Sequence, residues 1–317
     1  PLRSRIETGQ TLRQGSVPVT EFRAGVIIGS GSISFEMIRF MTELFPIVPG
    51  PSWMKNKSQP IAIQNVIDYL LAALTNPDGR GGVFEIGGPN VATYGDLMLG
   101  YARLRGLKRR IILLPGIPLW FMALGMDWMT PVPYPIAHAL IDGLSTDSIV
   151  KDPGVLKIFP EVKLIDFTSA TKDALEKTHP NYLERVWDDG ERKPKFIKHE
   201  GCFVDYREVV TNAEPEKVFR TITSLIEKRN WIVEVNEPHR QVVARIQDQA
   251  AGKKWIEWRI SHATPIEDFA GVTCLTQTVF FSPHGLPGFL HWYLLYPFHI
   301  ISFRGLIRRI TKQSENQ

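Results

Sequence analysis

The chain has few cysteines and little excess charge, and both shortages limit what it can be. Only Cys202 and Cys274 occur in 317 residues, and they lie too far apart for the close pairs that metal sites use. We therefore expect free thiols, a cytoplasmic location and no bound metal. The formal net charge is +4, and lysine and arginine do not gather into a recognition motif, so we expect no nucleic-acid partner.

No apolar run is long enough to cross a bilayer. Residues 111–129 are interrupted by prolines, glycines and an aspartate, and the uncharged run 289–303 is only 15 residues long. A spanning helix needs about 20 apolar residues. Membrane association would then be peripheral, with Trp292, Tyr293 and Tyr296 as candidate interfacial side chains.

The beginning of the sequence has neither an initiator methionine nor the apolar segment of a signal peptide. Residues 1–13 carry Ile6 and Leu12 among polar neighbours, which predicts a helix whose first turns lie before residue 1. We expect the chain to be a fragment of a longer protein. Loss of the preceding part would expose an apolar sheet edge, so we also expect self-association or a protein partner.

Strand signals and helix signals alternate in the first part of the chain. β-Branched and aromatic residues predict strands over 17–29, 58–63 and 82–88. Apolar side chains at helical spacing predict helices over 34–44, 66–74 and 97–104. Asn65 is the expected cap of the second helix, and Thr93 with Asp96 resembles a capping box before the third. The alternation predicts an α/β domain with a mostly parallel sheet.

The pattern changes after a polar stretch at 187–195. An alternating strand over 203–210 leads to a helix that we expect Asn212 to cap. Short polar turns join four further strands, which predicts an antiparallel meander over 231–235, 241–246, 254–261 and 272–281. A break at 285–288 precedes a last helix over 289–311. We divide the chain into a domain at 1–170, a linker at 171–198 and an α+β domain at 199–317.

Three segments of the first domain carry a family pattern. Residues 23–29 read Arg-Ala-Gly-Val-Ile-Ile-Gly, residues 60–66 read Pro-Ile-Ala-Ile-Gln-Asn-Val, and residues 86–97 contain Ile-Gly-Gly-Pro followed by Thr93 and Leu97. In order and spacing they resemble the extended short-chain dehydrogenases/reductases, the NAD(P)-binding, epimerase-like branch. The resemblance covers about residues 1–112. It implies the C-terminal half of a Rossmann-like fold and NAD or NADP as cofactor.

The sequence departs from that family at its two chemical motifs. It has no Gly-x-x-Gly-x-x-Gly turn for the pyrophosphate. Alignment backward from the first segment puts Pro1 at the family's catalytic tyrosine and Arg5 at its lysine, so we name no catalytic residue. The resemblance still implies cofactor contacts from Arg5, Ala24, Gly25 and Val26. The latter three also suit a tight turn that follows a strand.

The second domain resembles a different family. Residues 203–219 are similar to the opening of START-like, or polyketide-cyclase-like, domains, in which a strand leads to a short motif and a helix. Residues 277–299 closely resemble the tail of a domain of unknown function that bacteria carry behind reductase-like Rossmann domains. The resemblance implies a sheet wrapped around the last helix, often with a cavity for a small hydrophobic molecule.

Three histidines of the second domain, His284, His291 and His299, lie at spacings of seven and eight residues. Neither a cysteine nor an acidic residue accompanies them nearby, so ordinary tertiary hydrogen bonds are a better interpretation than a metal site.

These observations leave three functions open. The first is an NAD(P)-binding oxidoreductase-like protein of the extended type, catalytically atypical because both motifs are lacking. The alternative is a non-enzymatic module that binds a hydrophobic small molecule or lipid through the second domain. The third is an assembly or regulatory protein that uses the fold without chemistry.

Overall fold

The computed structural model of the chain describes residues 2–114, 134–180, 197–199, 202–249, 251–262 and 272–317, together with Trp120 and Leu124. The chain forms two compact units, 1–182 and 183–317. The first unit extends beyond the expected boundary at residue 170, because a helix over Phe167–Glu176 buries Ala170, Thr171 and Ala174. Residues 181–196 of the expected linker lie outside the described residues.

Short strands and longer helices alternate in the first unit. Its strands are β1 (Glu21–Ala24), β2 (Ile27–Ile28), β3 (Ile47–Gly50), β4 (Lys57–Ser58), β5 (Ile61–Ala62), β6 (Val83–Ile86), β7 (Ala92–Thr93) and β8 (Arg110–Leu113). Its described helices are α1 (Leu2–Arg13), α2 (Ile33–Leu44), α3 (Ile63–Thr75), α4 (Tyr94–Leu104), α5 (Tyr134–Gly143), α6 (Val155–Ile158) and α7 (Phe167–Glu176).

Parallel strand pairs form the frame of this unit. β1 pairs with β6, β2 with β5 and β3 with β8, all in parallel, whereas β4 and β7 are antiparallel. Parallel neighbours need a crossover connection, and the connection from β2 to its partner β5 contains α2. This is the α/β arrangement that the alternating sequence signals predict.

The helix caps of the first unit test two sequence predictions. The capping box is confirmed: Asp96 N donates to Thr93 Oγ1 at 3.1 Å, and Thr93 N donates to Asp96 Oδ2 at 3.2 Å. The cap prediction for Asn65 is wrong, because α3 begins earlier and Asn65 is buried inside it. The Asn65 side chain instead donates to Lys163 O and accepts from Ile165 N, each at 2.8 Å, so tertiary contacts decide its role.

A buried group of charges joins α2 to α4, and we call Glu36, Arg39, Glu43, Tyr101 and Arg105 the charge cluster. Arg39 Nε donates to Glu36 Oε2 at 2.9 Å. Tyr101 OH and Arg105 Nε both donate to Glu43 Oε1 at 2.7 Å. Burial works to lower the pKa of Arg39, but the combined interactions with Glu36, Tyr101 and Glu43 outweigh burial and raise that pKa, so the guanidinium stays charged.

The described part of the second unit is one antiparallel sheet with two helices. Its strands are β9 (Ile197–His199), β10 (Cys202–Thr211), β11 (Ile232–Glu237), β12 (Gln241–Gln249), β13 (Gly252–His262) and β14 (Thr273–Pro283), and its helices are α8 (Pro215–Lys228) and α9 (Gly285–Glu315). The strand order is β11-β12-β13-β14-β10-β9, with every neighbour antiparallel. The predicted meander is confirmed for β11 to β14.

Both helices of the second unit begin at other residues than the sequence predicts. α8 starts at Pro215 with Glu214 as its cap, so the Asn212 prediction is wrong; proline suits the first helical position because it needs no N–H donor there. The expected break at 285–288 is the first turn of α9. A Cβ on Gly288 would overlap the carbonyl oxygen of Ala251, so this glycine permits close packing and does not end a helix.

Candidate functional site

The sequence-predicted cofactor contacts lie where β1 and β6 end side by side. The two strands run parallel, and Ala24 is the register partner of Ile86. Ala24 and Gly25 are exposed at this edge, whereas Val26 is buried in the core. Ligands of open parallel sheets bind outside the carboxyl ends of the strands, so the edge has the expected position for a nucleotide.

The same edge is closely packed by two other segments of the first unit. A Cβ on Gly25 would lie 2.5 Å from Ser148 Oγ, and a Cβ on Gly88 would overlap the carbonyl oxygen of Pro60. Gln59 Nε2 donates to Gly88 O at 2.7 Å. Arg5 is exposed on α1, and within the described part of the chain no hydrogen bond or ion pair joins it to this edge. The structure thus groups three of the four predicted residues and leaves Arg5 apart.

A second candidate site lies between α9 and the sheet of the second unit. Lys254 on β13, Phe281 on β14 and Phe203 on β10 are cross-strand neighbours and therefore share one face of the sheet. Trp292 of α9 stacks on that face, with ring centroids 5.2 Å from Phe203 and 5.4 Å from Phe281. Phe303 extends the aromatic surface along α9. These rings form an apolar environment, so a polar side chain among them is shielded from water.

Four polar side chains lie within this aromatic surrounding, and we call Lys254, His291, Trp292 and His299 the donor cluster. The ammonium of Lys254 lies 5.6 Å from the ring centroid of Phe303 and 5.9 Å from that of Phe281. The imidazoles of His291 and His299 are 5.8 Å apart, and His299 lies 5.4 Å from the Trp292 ring.

None of the four has a hydrogen-bond acceptor among the described residues. His291 Nε2, Trp292 Nε1 and His299 Nε2 are fully buried without a partner. Lys254 is only 9% exposed and has no ion pair in the described part of the chain. This differs from the expected tertiary hydrogen bonds of the histidines. An unpaired buried polar group costs about 1–3 kcal/mol, so several together at one place indicate a site that a ligand completes.

Burial and mutual repulsion lower the pKa values of the cluster. Desolvation lowers the pKa of Lys254. Desolvation, followed by repulsion from Lys254 and His291, lowers the pKa of His299 to about 4. Desolvation, followed by repulsion from Lys254, also lowers the pKa of His291. Near neutral pH the two imidazoles are therefore neutral, and a bound anion would raise the pKa values of both histidines and of Lys254.

Other buried polar groups on the same face are paired. Trp258 Nε1 donates to Gln277 Oε1 at 3.2 Å, and Gln277 Nε2 donates to the carbonyl oxygen of Phe303 at 3.1 Å. The fold can thus satisfy polar groups at this depth, which makes the donor cluster an exception. The sequence held one signal for it: Lys254 occupies an inward position of the alternating strand, in phase with Ile256 and Trp258.

The cysteines and the metal prediction give no other site. Neither Cys202 nor Cys274 forms a disulfide, and both are buried. Burial, together with a hydrogen bond to Glu208, raises the pKa of Cys274 to about 11, so this thiol stays protonated at neutral pH. No group of three or more His, Cys, Asp or Glu side chains within the described ranges could hold a metal ion. In that same part of the chain, every helix is too short or too polar to cross a bilayer.

No protein-family model and no curated protein matches the chain. Solved structures that match part of it include an NAD-dependent NDP-hexosamine 5,6-dehydratase of tunicamycin biosynthesis (13% identity, 53% of this chain and 48% of that one, TM-score 0.37). Others are an NADPH-dependent quinone oxidoreductase from Escherichia coli (15%, 54% and 60%, 0.44) and a nucleoside-diphosphate-sugar epimerase from Staphylococcus aureus (12%, 51% and 55%, 0.40).

The chain spans about half the length of these solved structures. They are nicotinamide-dependent or epimerase-like proteins by name, the type of protein that the three sequence segments resemble.

Proposed function

We propose that the second unit binds a small amphipathic molecule with an anionic head group, through the donor cluster. The observation that carries the proposal is the set of buried donors, Lys254, His291, Trp292 and His299, that lack an acceptor in the described structure. A carboxylate or phosphate offers acceptors to several donors at once. Charge-assisted hydrogen bonds of this kind are about twice as strong as neutral ones.

The aromatic surroundings favour an amphipathic molecule over a small inorganic anion. The head group would lie among Phe281, Trp292 and Phe303, whose rings offer apolar contact to an attached tail. Each methylene removed from water contributes about 0.8 kcal/mol. The sequence already suggested a module that binds a hydrophobic small molecule or lipid. The donor cluster adds that this ligand carries a negative charge.

Decanoate should therefore bind the full chain more tightly than decanol or decylammonium, which have the same tail. We expect at least about a tenfold preference for the carboxylate, because only its charge attracts Lys254.

Decanoate affinity should also rise between about pH 8 and about pH 6, since a bound anion raises the lowered histidine pKa values and the complex takes up protons. Titration calorimetry measures both effects; equal affinity for the three compounds would contradict the proposal.

A nicotinamide dinucleotide at the β1–β6 edge is the second candidate, and it is the atypical oxidoreductase-like function that the sequence motifs suggest. Ala24 and Gly25 are exposed at the carboxyl end of a parallel strand, the expected position for such a ligand. In this function Arg5 would contact a ribose or phosphate, and Val26 would support the turn from the core.

Calorimetry with NADH and NADPH tests this second candidate. If the dinucleotide binds at this edge, Ala24→Glu should lower the affinity at least about fivefold, because the new carboxylate fills the exposed strand end and repels the anionic ligand. Val17→Glu is the matched control, because Val17 is 70% exposed and precedes β1, before the other end of the strand. Absence of binding, or an equal loss in both variants, would remove this function from the chain as it stands.

A further inference from the structure

Helix α9 presents an apolar face to solvent as well as to the sheet. Its inward side chains, such as Trp292 and Ile307, are buried. On the opposite side, Leu294 is 71% exposed, Phe298 69% and Ile301 72%. The outward face of a helix in a water-soluble domain is normally polar, so three neighbouring large apolar residues there need a reason.

The same outward face turns basic toward the end of α9. Continuing from Leu294 and Ile301 at spacings of three, four and seven residues, the helix brings Arg308 and Lys312 to this side, and both are exposed. Arg304 and Arg309 flank them and are exposed too. We call Leu290, Leu294, Phe298, Ile301, Arg308 and Lys312 the outer strip.

No acidic residue interrupts the strip. The sequence contains neither Asp nor Glu from 285 to 314, so all charged side chains along α9 before its last residue are cations. A partner must therefore offer an apolar layer beside a negatively charged one. A bilayer surface with anionic lipids has both, with head groups lying over the acyl chains.

We propose that α9 docks by its outer strip on an anionic membrane surface, lying in the interface and not crossing it. The described helices include none able to span a bilayer, which agrees with this mode. Tyr293 is 45% exposed beside the strip, in keeping with the interfacial preference of aromatic residues, whereas Trp292 is fully buried and cannot belong to such a belt. This inference goes beyond the ligand of the donor cluster and does not depend on it.

Vesicle co-sedimentation of the full chain tests the docking. We expect binding to vesicles of phosphatidylcholine with about 30% phosphatidylserine and little binding to phosphatidylcholine alone. The double variant Leu294→Ser/Ile301→Ser should lower the binding at least about tenfold, and Arg308→Glu/Lys312→Glu should lower it to a similar extent.

The matched control is Leu70→Ser/Leu74→Ser on α3, where the two leucines are 53% and 81% exposed. It removes the same apolar surface from another helix and should leave vesicle binding unchanged. Equal binding to both lipid mixtures, no binding to either, or an equal loss in the α3 control would overturn the proposal. The proposal would also be overturned if an α9 variant lowered the molecular mass of the protein in the absence of vesicles and left vesicle binding unchanged. That result would mean that the outer strip binds a second copy of the chain. Decanoate affinity should be unaltered in the α9 variants, which separates this test from that of the donor cluster.

Discussion

Replacing Lys254 with methionine is expected to stabilise the second unit and at the same time to weaken its ligand binding. The methionine keeps the apolar stem near Phe281 and Phe303. It removes the ammonium of a residue that is only 9% exposed and has no ion pair in the described structure. Loss of the two cation–π contacts costs about 0.5–1 kcal/mol each. Burying an unpaired charge costs several kcal/mol, so desolvation is the larger effect.

We therefore expect Lys254→Met to raise the free energy of unfolding by about 1–2 kcal/mol, which scanning calorimetry would record as a higher melting temperature. Decanoate affinity should fall at least about tenfold in the same variant. The pKa of His299, lowered to about 4 partly by Lys254, should rise toward its usual range, as measured by nuclear magnetic resonance titration.

Lys253→Met is the matched control, because Lys253 is the adjacent residue on β13 and its side chain is exposed on the other face. It should change neither stability nor affinity appreciably. If Lys254→Met destabilises the second unit, the ammonium stabilises the fold and is not a group reserved for a ligand. If decanoate binds both variants alike, the head group does not reach Lys254.

Replacing Glu43 with glutamine should destabilise the first unit by about 3–5 kcal/mol, the usual cost of breaking a buried ion pair at one partner. The Glu43 side chain is fully buried, and its Oε1 accepts hydrogen bonds from Tyr101 and Arg105. Its charge also compensates Arg39, which is 2% exposed. The neutral amide oxygen can still accept hydrogen bonds, but it cannot balance the charge of two guanidinium groups.

Asp173→Asn provides the comparison for this change. Asp173 pairs with Lys177 on α7 of the same unit, but both side chains are nearly half exposed, so the loss should stay below about 1 kcal/mol. Scanning calorimetry reports the size of each effect, and hydrogen exchange of peptides from α2 and α4 locates it. A loss for Glu43→Gln no larger than that for Asp173→Asn would mean that the charge cluster contributes little to stability.

Local patterns in the sequence predicted what local contacts determine. The meander β11 to β14 follows from alternating strands joined by short turns, and the Thr93 capping box needs only residues three positions apart. The sequence failed where distant segments decide. Asn65 is held by Lys163 and Ile165, about a hundred residues away, and no local signal contains those partners.

The same reason explains why neither buried polar group was predicted. Glu36, Arg39 and Glu43 look like the solvated side of an amphipathic helix until α4 covers them. For the donor cluster, the sequence shows His291 and His299, but only the stacking of α9 on β13 and β14 brings Lys254 to them. Only that packing leaves their buried ring nitrogens without an acceptor among the described residues. Of the cofactor residues taken from the family resemblance, Ala24, Gly25 and Val26 adjoin one strand end, and their role stays a prediction.

The strand order of the second unit also determines when its sheet can close during synthesis. β10 lies between β9 and β14, yet β14 is made only after α8 and three further strands have left the ribosome. Until then β10 has one open edge, and its Phe203 lacks both Phe281 and the Trp292 ring. An open apolar edge can pair with another chain, so nascent chains that stop before α9 should depend most on chaperones.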